Sequence, residues 1–401
     1  MRAIRSEKIV TPDGILDGHL VLEEGKIIKV AEGELPANFD GEIIEARDRI
    51  VAPGFIDLHI HGAGGWQVLG VDEGAILNLA RFLASNGVTS FYLTPGTIGK
   101  DILVSSVAKQ AGAIKKQQEE PAGSGAEMLG IHLEGPFISK EEKGAMDARN
   151  ILPCSLADMK ELEEAAAGFL SRVTLAPELP DALEMIKYLT EKGYTVAGGH
   201  TNASYEEMMQ GIEAGVRVAN HMYNAMSGLH HRKPGAVGAY LTDERVSCEI
   251  IADGIHVHPK VIELTLECKG LDKVYLISDA IIAAGLPAGN YQFAGHKIEI
   301  TEEGLSRLPD GTIAGSTFLM NRTFRNLLQV IGLSLEEAVQ ISSLNPARMA
   351  GVADRKGSIS EGKDADIVIM AADYQVEYSL ARGELYASPG QDPTVYLNKS
   401  I

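Results

Sequence analysis

Residues 195–221, TVAGGHTNASYEEMMQGIEAGVRVANH, show in full the pattern that decides the fold. A short apolar run, Thr195–Ala197, is followed by a stretch with helical periodicity and then by a second apolar run, Val216–Ala219. Strands that alternate with helices in this way are typical of βα units in a parallel sheet. Each run is followed by a histidine, His200 or His221, within a few residues.

The same alternation recurs along the middle of the chain. Helical stretches are predicted at Ala75–Ser85, Asp181–Lys192 and Ser204–Ala214. Eight parallel strands with helices between them predict an α/β fold of the (β/α)8 TIM-barrel type. The eight apolar runs of strand length are Phe55–Ile60, Val88–Leu93, Met128–Leu133, Val173–Ala176, Thr195–Ala197, Val216–Ala219, Cys248–Ile251 and Val274–Ile277.

The two ends of the chain have a different sequence pattern. Short alternating runs such as Gly18–Leu22 and Lys26–Val30 are separated by Asp-Gly and Glu-Gly turns, and an apolar strand ends the segment Gly357–Met370. We expect these ends to pair into one small discontinuous β-sandwich domain, residues 1–52 plus 350–401. Residues 53–349 would then form the barrel.

Composition narrows the classes of function. With 45% hydrophobic and 23% charged residues, the 401-residue chain has ordinary globular usage. Its 36 basic against 55 acidic residues give a formal charge of −19, which disfavours nucleic acid and anionic membranes as partners. The chain has three cysteines, Cys154, Cys248 and Cys268. Their odd number and their scattered positions imply no disulfide framework. We expect a cytoplasmic protein without a membrane segment.

Polar side chains follow nearly every predicted barrel strand. In a parallel barrel the carboxyl ends of all strands lie on one face, so these residues are expected to converge on one pocket. They are His59, His61, Thr94, Glu134, Glu178, His200, His221, Asp253, His256 and Asp279.

Several of these residue types suit a metal ion. His59 and His61 point to the same side of an extended strand, although an isolated pair of this kind is as often structural. Glu134 precedes Gly135-Pro136 and would by itself be read as a solvated strand end or a cap. Imidazole is the commonest protein ligand for zinc-like ions, so His200 and His221 together with Glu134 favour metal binding.

Two further features bear on catalysis and on substrate charge. Asp279 can be a metal ligand, a general base for an activated water, or a cap of the following segment. The segment His230-His-Arg-Lys-Pro-Gly235 is the densest basic cluster of the middle region, and its Arg232 suits a phosphate. A solvated surface loop is the alternative. His256 is a second candidate contact for phosphate or hydroxyl.

Together these motifs resemble the N-acetylglucosamine-6-phosphate deacetylase family of the amidohydrolases. Their order and spacing match over essentially the whole chain. HLEGPF and the HxxNAM segment are the most specific, whereas PGFIDxHxH is shared by many amidohydrolases. The motifs are PGFIDLH at 53–59, HLEGPF at 132–137, GHTNA at 199–203, HMYNAM at 221–226, DGIH at 253–256 and SDA at 278–280.

The resemblance implies a metal-dependent deacetylase. Glu134, His200 and His221 would bind one divalent ion, zinc or else iron or another divalent metal. A second ion is expected at His59, His61, Asp279 and bridging Glu134, giving one or two per subunit. Asp279 would be the catalytic acid/base, and the products would be acetate and glucosamine 6-phosphate.

The resemblance also implies substrate contacts and a partner. The amino sugar phosphate would be held by Asn224, the backbone of Ala225, Arg232 and His256. In relatives the arginine reaches in from the neighbouring subunit, which implies a homodimer with shared sites. Ala145 and the segment formed by Ile313, Ala314 and Gly315 would line the pocket.

One position departs from the family. Met146 stands where the family usually has a histidine that can orient or polarise the acetyl carbonyl, and methionine cannot donate a hydrogen bond. The alternatives left open are a deacetylase for the galactosamine epimer, another amidohydrolase, and a non-catalytic sugar-phosphate sensor.

Overall fold

The computed structural model describes residues 1–293, 295–388, 390 and 397–399. Most strands fall in two large sheets, and two smaller sheets complete the set. In chain order the strands are β1 Arg2–Thr11, β2 Gly14–Glu23, β3 Lys26–Glu32, β4 Glu42–Glu45, β5 Ile50–Pro53, β6 Phe55–Asp57, β7 Gly62–Ala63, β8 Trp66–Gln67, β9 Val88–Leu93, β10 Glu127–Glu134, β11 Leu170–Leu175, β12 Thr195–Gly198, β13 Val216–Ala219, β14 Ser247–Ile251, β15 Val274–Ile277, β16 Gly289–Phe293, β17 His296–Ile300, β18 Ser306–Arg307, β19 Ile367–Met370, β20 Val376–Ala381, β21 Glu384–Ala387 and β22 Leu397–Lys399.

Helices connect the strands of the middle region. Short 3-10 turns occur at Ala148–Asn150 and Leu271–Lys273, and π-helical turns at Leu327–Ile331 and Gln340–Leu344. The α-helices are α1 Glu73–Ala84, α2 Lys100–Glu119, α3 Leu156–Ala165, α4 Ala182–Glu191, α5 Tyr205–Ala214, α6 Gly235–Thr242, α7 Pro259–Lys269, α8 Met320–Asn326, α9 Leu335–Val339 and α10 Asn345–Met349. None of the described helices combines the length and the apolar character that a membrane span requires.

Local sequence explains the βα unit at 195–221. Ser204 begins α5 by accepting a hydrogen bond from the backbone N–H of Glu207, whose carboxylate accepts in return from the N–H of Ser204. Gly215 ends the helix with a φ of 139°, which favours glycine. The chain can then enter β13 directly.

The eight predicted barrel strands form one parallel sheet, which confirms the α/β TIM-like prediction. Their order is β15-β14-β13-β12-β11-β10-β9-β6. The barrel closes because the backbone N–H of Asp279 donates to His59 O at 3.0 Å and that of His61 donates to Ala280 O at 2.8 Å. The first strand ends at Asp57, earlier than predicted, because the residues after it make these closing contacts instead of a regular ladder.

Both chain ends contribute to a second sheet of nine strands. Its order is β21-β20-β19-β5-β1-β2-β3, and β4 pairs with both β1 and β22. A separate apolar cluster that includes Ile4, Leu20, Ile44 and Ile367 packs on this sheet. The nine strands are hydrogen-bonded as one sheet, so the two facing sheets of a sandwich stay a prediction.

A small sheet that the sequence analysis did not predict lies between β15 and α8. Strands β16, β17 and β18 form this three-stranded antiparallel sheet. Its buried face packs Ile298 and Ile300 against Ala283 and Ala314. The turn between β16 and β17 brings Phe293 and His296 to the cavity described next.

Candidate active site and metal centre

A cavity of about 540 Å³ lies at the carboxyl ends of the barrel strands. It brings together residues from strand ends that are far apart in sequence, as the barrel geometry predicts. Of the residues predicted for the site, those that line it are His61, Glu134, Ala145, His200, His221, Asn224, Ala225, His256, Asp279, Ile313 and Gly315.

Glu134, His200 and His221 meet at the centre of this cavity. Glu134 Oε1 lies 3.2 Å from His200 Nε2 and 3.0 Å from His221 Nε2, and the two imidazole nitrogens are 3.0 Å apart. All three residues are at least 95% buried. The structure therefore brings the three predicted ligands to one point.

The hydrogen bonds of the histidine rings indicate that a cation can bind at this point. His200 Nδ1 lies 2.8 Å from the carbonyl oxygen of Glu142, which can only accept, so Nδ1 carries the proton. In the neutral ring the lone pair of Nε2 then faces Glu134 Oε1 and His221 Nε2. Acceptors that face one another at about 3 Å repel unless a cation lies between them. The donor set fits a divalent metal ion of the zinc type.

A second group of ligand atoms adjoins the first. His59 Nε2, His61 Nε2 and an oxygen of Asp279 lie within 4.8 Å of one another, and so do ligand atoms of His59, Glu134 and His221. His61 Nδ1 lies 2.8 Å from the carbonyl oxygen of Thr94, which fixes the proton on that nitrogen. The arrangement offers a second position for a cation, with Glu134 between the two.

The electrostatics of the cluster favour positive charge. Burial alone would raise the pKa of Glu134, but the neighbouring imidazoles of His59, His200 and His221 hold that pKa well below its usual range. Burial likewise opposes ionisation of Asp279, but the contact of Asp279 with His61 lowers the pKa of this carboxyl group. Both carboxylates are therefore ionised at neutral pH.

A buried polar layer under the cavity supports the ligands. Glu249 accepts from the backbone N–H of His221 at 3.1 Å, and its Oε2 lies 3.2 Å from His59 Nδ1. Its other oxygen pairs with the fully buried Arg172 and accepts from Tyr275 Oη at 3.0 Å. Desolvation opposes the charge of Glu249, but Arg172 keeps its pKa far below the usual range. Glu249 thus orients His59 in the way that outer carboxylates orient metal-binding histidines.

Other polar contacts hold the substrate-facing residues. Asp253 accepts hydrogen bonds from the backbone of His256 and from Ser316 Oγ, and its Oδ2 lies 2.7 Å from His256 Nδ1. The free Nε2 of His256 is consequently available to the cavity. Asn224 donates to the carbonyl oxygen of His221 at 3.2 Å, which ties its amide to the metal-ligand segment.

Three predicted site residues do not line the cavity. His59 lies behind the lining residues and is fully buried, yet it reaches the cluster through Nε2. The methyl group of Ala314 is fully buried in the apolar cluster with Ile281 and Ile298, so it faces away from the cavity. Arg232 lies in an exposed turn where it contacts His231, so within one chain it is not brought to the site.

Several residues in the cavity wall and in the polar layer under it could not be predicted from the sequence. Leu69 and Phe293 carry no chemical motif, and Glu249 looked like one polar position inside an apolar strand. A carboxylate in a strand buried on both faces was the available signal for Glu249, because such a charge requires a partner. Nothing local in the sequence placed Phe293 or His296 near the barrel mouth.

Comparisons with known proteins identify the family of this chain. The model of the amidohydrolase family matches residues 50–398. The N-acetylglucosamine-6-phosphate deacetylase of Bacillus subtilis is 36% identical over 95% of this chain and 96% of its own length. The N-acetylgalactosamine-6-phosphate deacetylase of Escherichia coli O157:H7 is 33% identical over 95% of this chain and 98% of its own length.

Solved structures give the same result. The N-acetylglucosamine-6-phosphate deacetylase of Pasteurella multocida superimposes with a TM-score of 0.89 at 29% identity, over 96% of this chain and 100% of that one. An aspartate-to-alanine mutant of the Mycobacterium smegmatis enzyme, in complex with N-acetyl-D-glucosamine-6-phosphate, superimposes with a TM-score of 0.88 at 30% identity, over 96% of this chain and 99% of that one. The chain therefore belongs to the amidohydrolase family, and within it to the N-acetylglucosamine-6-phosphate deacetylases.

Proposed function

We propose that the protein removes the acetyl group from N-acetylglucosamine 6-phosphate and gives glucosamine 6-phosphate and acetate. The observation that carries this proposal is the meeting of Glu134, His200 and His221 beside Asp279 at the wall of one cavity. The names of the relatives and of the structure with bound sugar phosphate support the choice of substrate.

Glu134, His200 and His221 would hold the metal ion. A divalent ion bound there supplies Lewis-acid chemistry, which lowers the pKa of a water molecule and stabilises negative charge on the amide oxygen. Nitrogen and oxygen ligands suit zinc, and they also suit iron and other divalent ions. His59, His61 and Asp279, with Glu134 bridging, would hold a second ion.

Asp279 is the residue that moves the proton. Its carboxylate is ionised, lines the cavity and lies 3.1 Å from His61 Nε2. It takes a proton from the attacking water as the oxygen adds to the acetyl carbon, and it gives that proton to the sugar nitrogen as the C–N bond breaks. In the balanced reaction one amide and one water are consumed, and one amine and one carboxylic acid are formed.

Polar groups away from the metal centre would bind the sugar and its phosphate. We assign these contacts to Asn224, the backbone of Ala225 and the Nε2 of His256, with Ala145, Ile313, Gly315 and the backbone of Ala314 shaping the wall. Arg232, exposed in its own chain, would reach the site of a second subunit in a homodimer. A single chain of charge −19 needs such a local cation for an anionic substrate.

The galactosamine epimer is the second candidate substrate. The relative from Escherichia coli O157:H7 that carries that name is 33% identical, close to the identity of the glucosamine enzymes.

We further propose that residues 1–52 plus 350–401 form a small β-sandwich domain and that residues 53–349 form the barrel. We also propose a cytoplasmic location, and the free cysteines support this location.

The test is acetate release from both epimers by metal-replete protein. Higher kcat/KM for N-acetylglucosamine 6-phosphate supports the main proposal, and the reverse order supports the galactosamine alternative. Prior removal of metal with a chelator should abolish turnover, and added Zn²⁺ or Fe²⁺ should restore it. Absence of turnover with both epimers at full metal content would favour a sugar-phosphate sensor.

A further inference from the structure

A second, smaller cavity adjoins the main one beside His61. Its volume is about 120 Å³. His61, Leu69 and Phe293 line both cavities, so the two adjoin at these three side chains. We call the smaller cavity the side pocket, and its remaining lining residues are Gln67, Gly70, Ile98 and Gly295.

The side pocket begins close to the reacting groups. His61 Nε2 lies 3.1 Å from Asp279 Oδ1 and 3.4 Å from Glu134 Oε2. In the proposed reaction Asp279 acts on the amide of the substrate, so the amide lies beside Asp279 on the cavity side of His61. The acyl group is then expected near His61, where the side pocket adjoins the main cavity.

The side of this position that faces away from the carboxylates is mainly apolar. Leu69, Met146, Ile281 and Phe293 line the main cavity, and the ring of Phe293 is centred 6.0 Å from that of His61. Among the described residues that line the side pocket, no side chain carries a carboxylate, an ammonium or a guanidinium group. A hydrocarbon chain suits such a lining better than a polar group does.

Met146 contributes to the same wall. A Cβ built on Gly96 would lie 3.8 Å from Met146 Cε and 3.8 Å from His61 Cε1. The methyl end of Met146 therefore lies near Gly96, on the same part of the cavity wall as His61. The thioether is flexible and apolar, and it adapts to groups of different length.

We infer that the side pocket is an acyl subsite and that the protein hydrolyses N-acyl amino sugar phosphates whose acyl chain is longer than acetyl, such as propanoyl and butanoyl. This inference rests on the proposed function and extends its substrate class. The chemistry is unchanged: water adds its oxygen to the acyl carbon, the C–N bond breaks, and the nitrogen receives the proton. The products are a short-chain carboxylate and the free amino sugar phosphate.

The test compares N-acetyl with N-butanoyl glucosamine 6-phosphate on the metal-replete full-length protein. Each methylene that enters an apolar pocket contributes about fourfold to binding, so two methylenes offset the steric cost of the longer chain. We expect kcat/KM for the butanoyl amide to be at least one tenth of that for the acetyl amide. A smaller fraction would overturn the inference.

A substitution in the side pocket tests whether this pocket binds the longer acyl chain. Ile98 lines the side pocket and not the main cavity, so Ile98→Phe fills the side pocket alone. We expect it to lower kcat/KM for the butanoyl amide at least tenfold and for the acetyl amide less than threefold. Ile102→Phe, at an exposed position of α2, is the matched control and should change neither value.

The outcomes separate the two proposals. Equal losses on both amides in Ile98→Phe would overturn the subsite, and the wild-type comparison decides the matter if that variant does not fold. Hydrolysis of the acetyl amide alone overturns the subsite and leaves the proposed function intact. If the wild type hydrolyses neither amide, the proposed function fails and the subsite fails with it.

Discussion

Replacement of Asp279 by asparagine tests the proposed acid/base most directly. The backbone of Asp279 has a φ of 50°, in the left-handed region that asparagine tolerates better than most residues. Its N–H donates to His59 O at 3.0 Å and its carbonyl oxygen accepts from the N–H of Ser316 at 2.9 Å. Asparagine keeps the size and these backbone contacts, so the fold is preserved.

The expected loss follows from the two proton transfers that Asp279 makes. A positioned acid/base contributes about 10²–10⁴-fold to the rate. We expect kcat to fall towards the upper end of that range, about 5 kcal/mol in activation free energy at 10⁴-fold, because one group serves both transfers. KM should change less than about threefold, since the amide still fills the same wall of the cavity.

The assay is acetate release under saturating substrate, together with metal analysis of each protein. Asp13→Asn, in the exposed turn between β1 and β2, is the control and should retain full activity. An Asp279→Asn variant that keeps more than a tenth of the wild-type kcat at unchanged metal content would refute the assigned role. A loss of one ion per chain would assign Asp279 to the second metal position as well.

Three other changes test separate parts of the site and fold. Met146→His should fold and change kcat by no more than about tenfold, measured by acetate release, since an apolar wall is replaced without loss of a ligand. Arg232→Ala should raise KM for the phosphorylated substrate at least tenfold and leave activity on the unphosphorylated sugar unchanged; equal effects on both would refute a phosphate contact. Burial opposes ionisation of Glu127, but Arg355 and the buried Lys356 lower its pKa to about 2. That depressed pKa stabilises the fold above pH 4.5 and the gain is lost as pH falls towards 2, so Glu127→Gln should lower the Tm at pH 7 more than at pH 3.

The barrel and the metal ligands were predictable from the chain because two simple periodicities determine them. Short apolar runs separated by amphipathic helices specify a parallel sheet, and closure of that sheet brings every strand end to one face. His200 and His221 are therefore neighbours although 21 residues separate them. Histidines and carboxylates at strand ends were recognisable without knowledge of side-chain directions.

The walls of the cavity were not predictable in the same way. Phe293 and His296 come from a small antiparallel sheet whose strands alternate apolar and polar residues but lie outside the repeated pattern of strand and helix that forms the barrel. The position of that sheet depends on packing of Ile298 and Ile300 against residues near Asp279, a long-range contact with no local signal. The same holds for Arg232, whose role in the proposal depends on a second subunit.

Backbone conformation at the site is the feature that joins these observations. His200, His221 and Asp279 have φ values of 47°, 28° and 50°, although side chains other than glycine are rare in this region. Each conformation costs of order 1–3 kcal/mol and persists because neighbouring contacts fix it. In each case the residue is the second one after a barrel strand, so the left-handed backbone occurs where the chain turns into the cavity. In the proposed site Glu134 joins His200 and His221 around one cation, and binding of that cation would offset part of the cost of the two strained histidines.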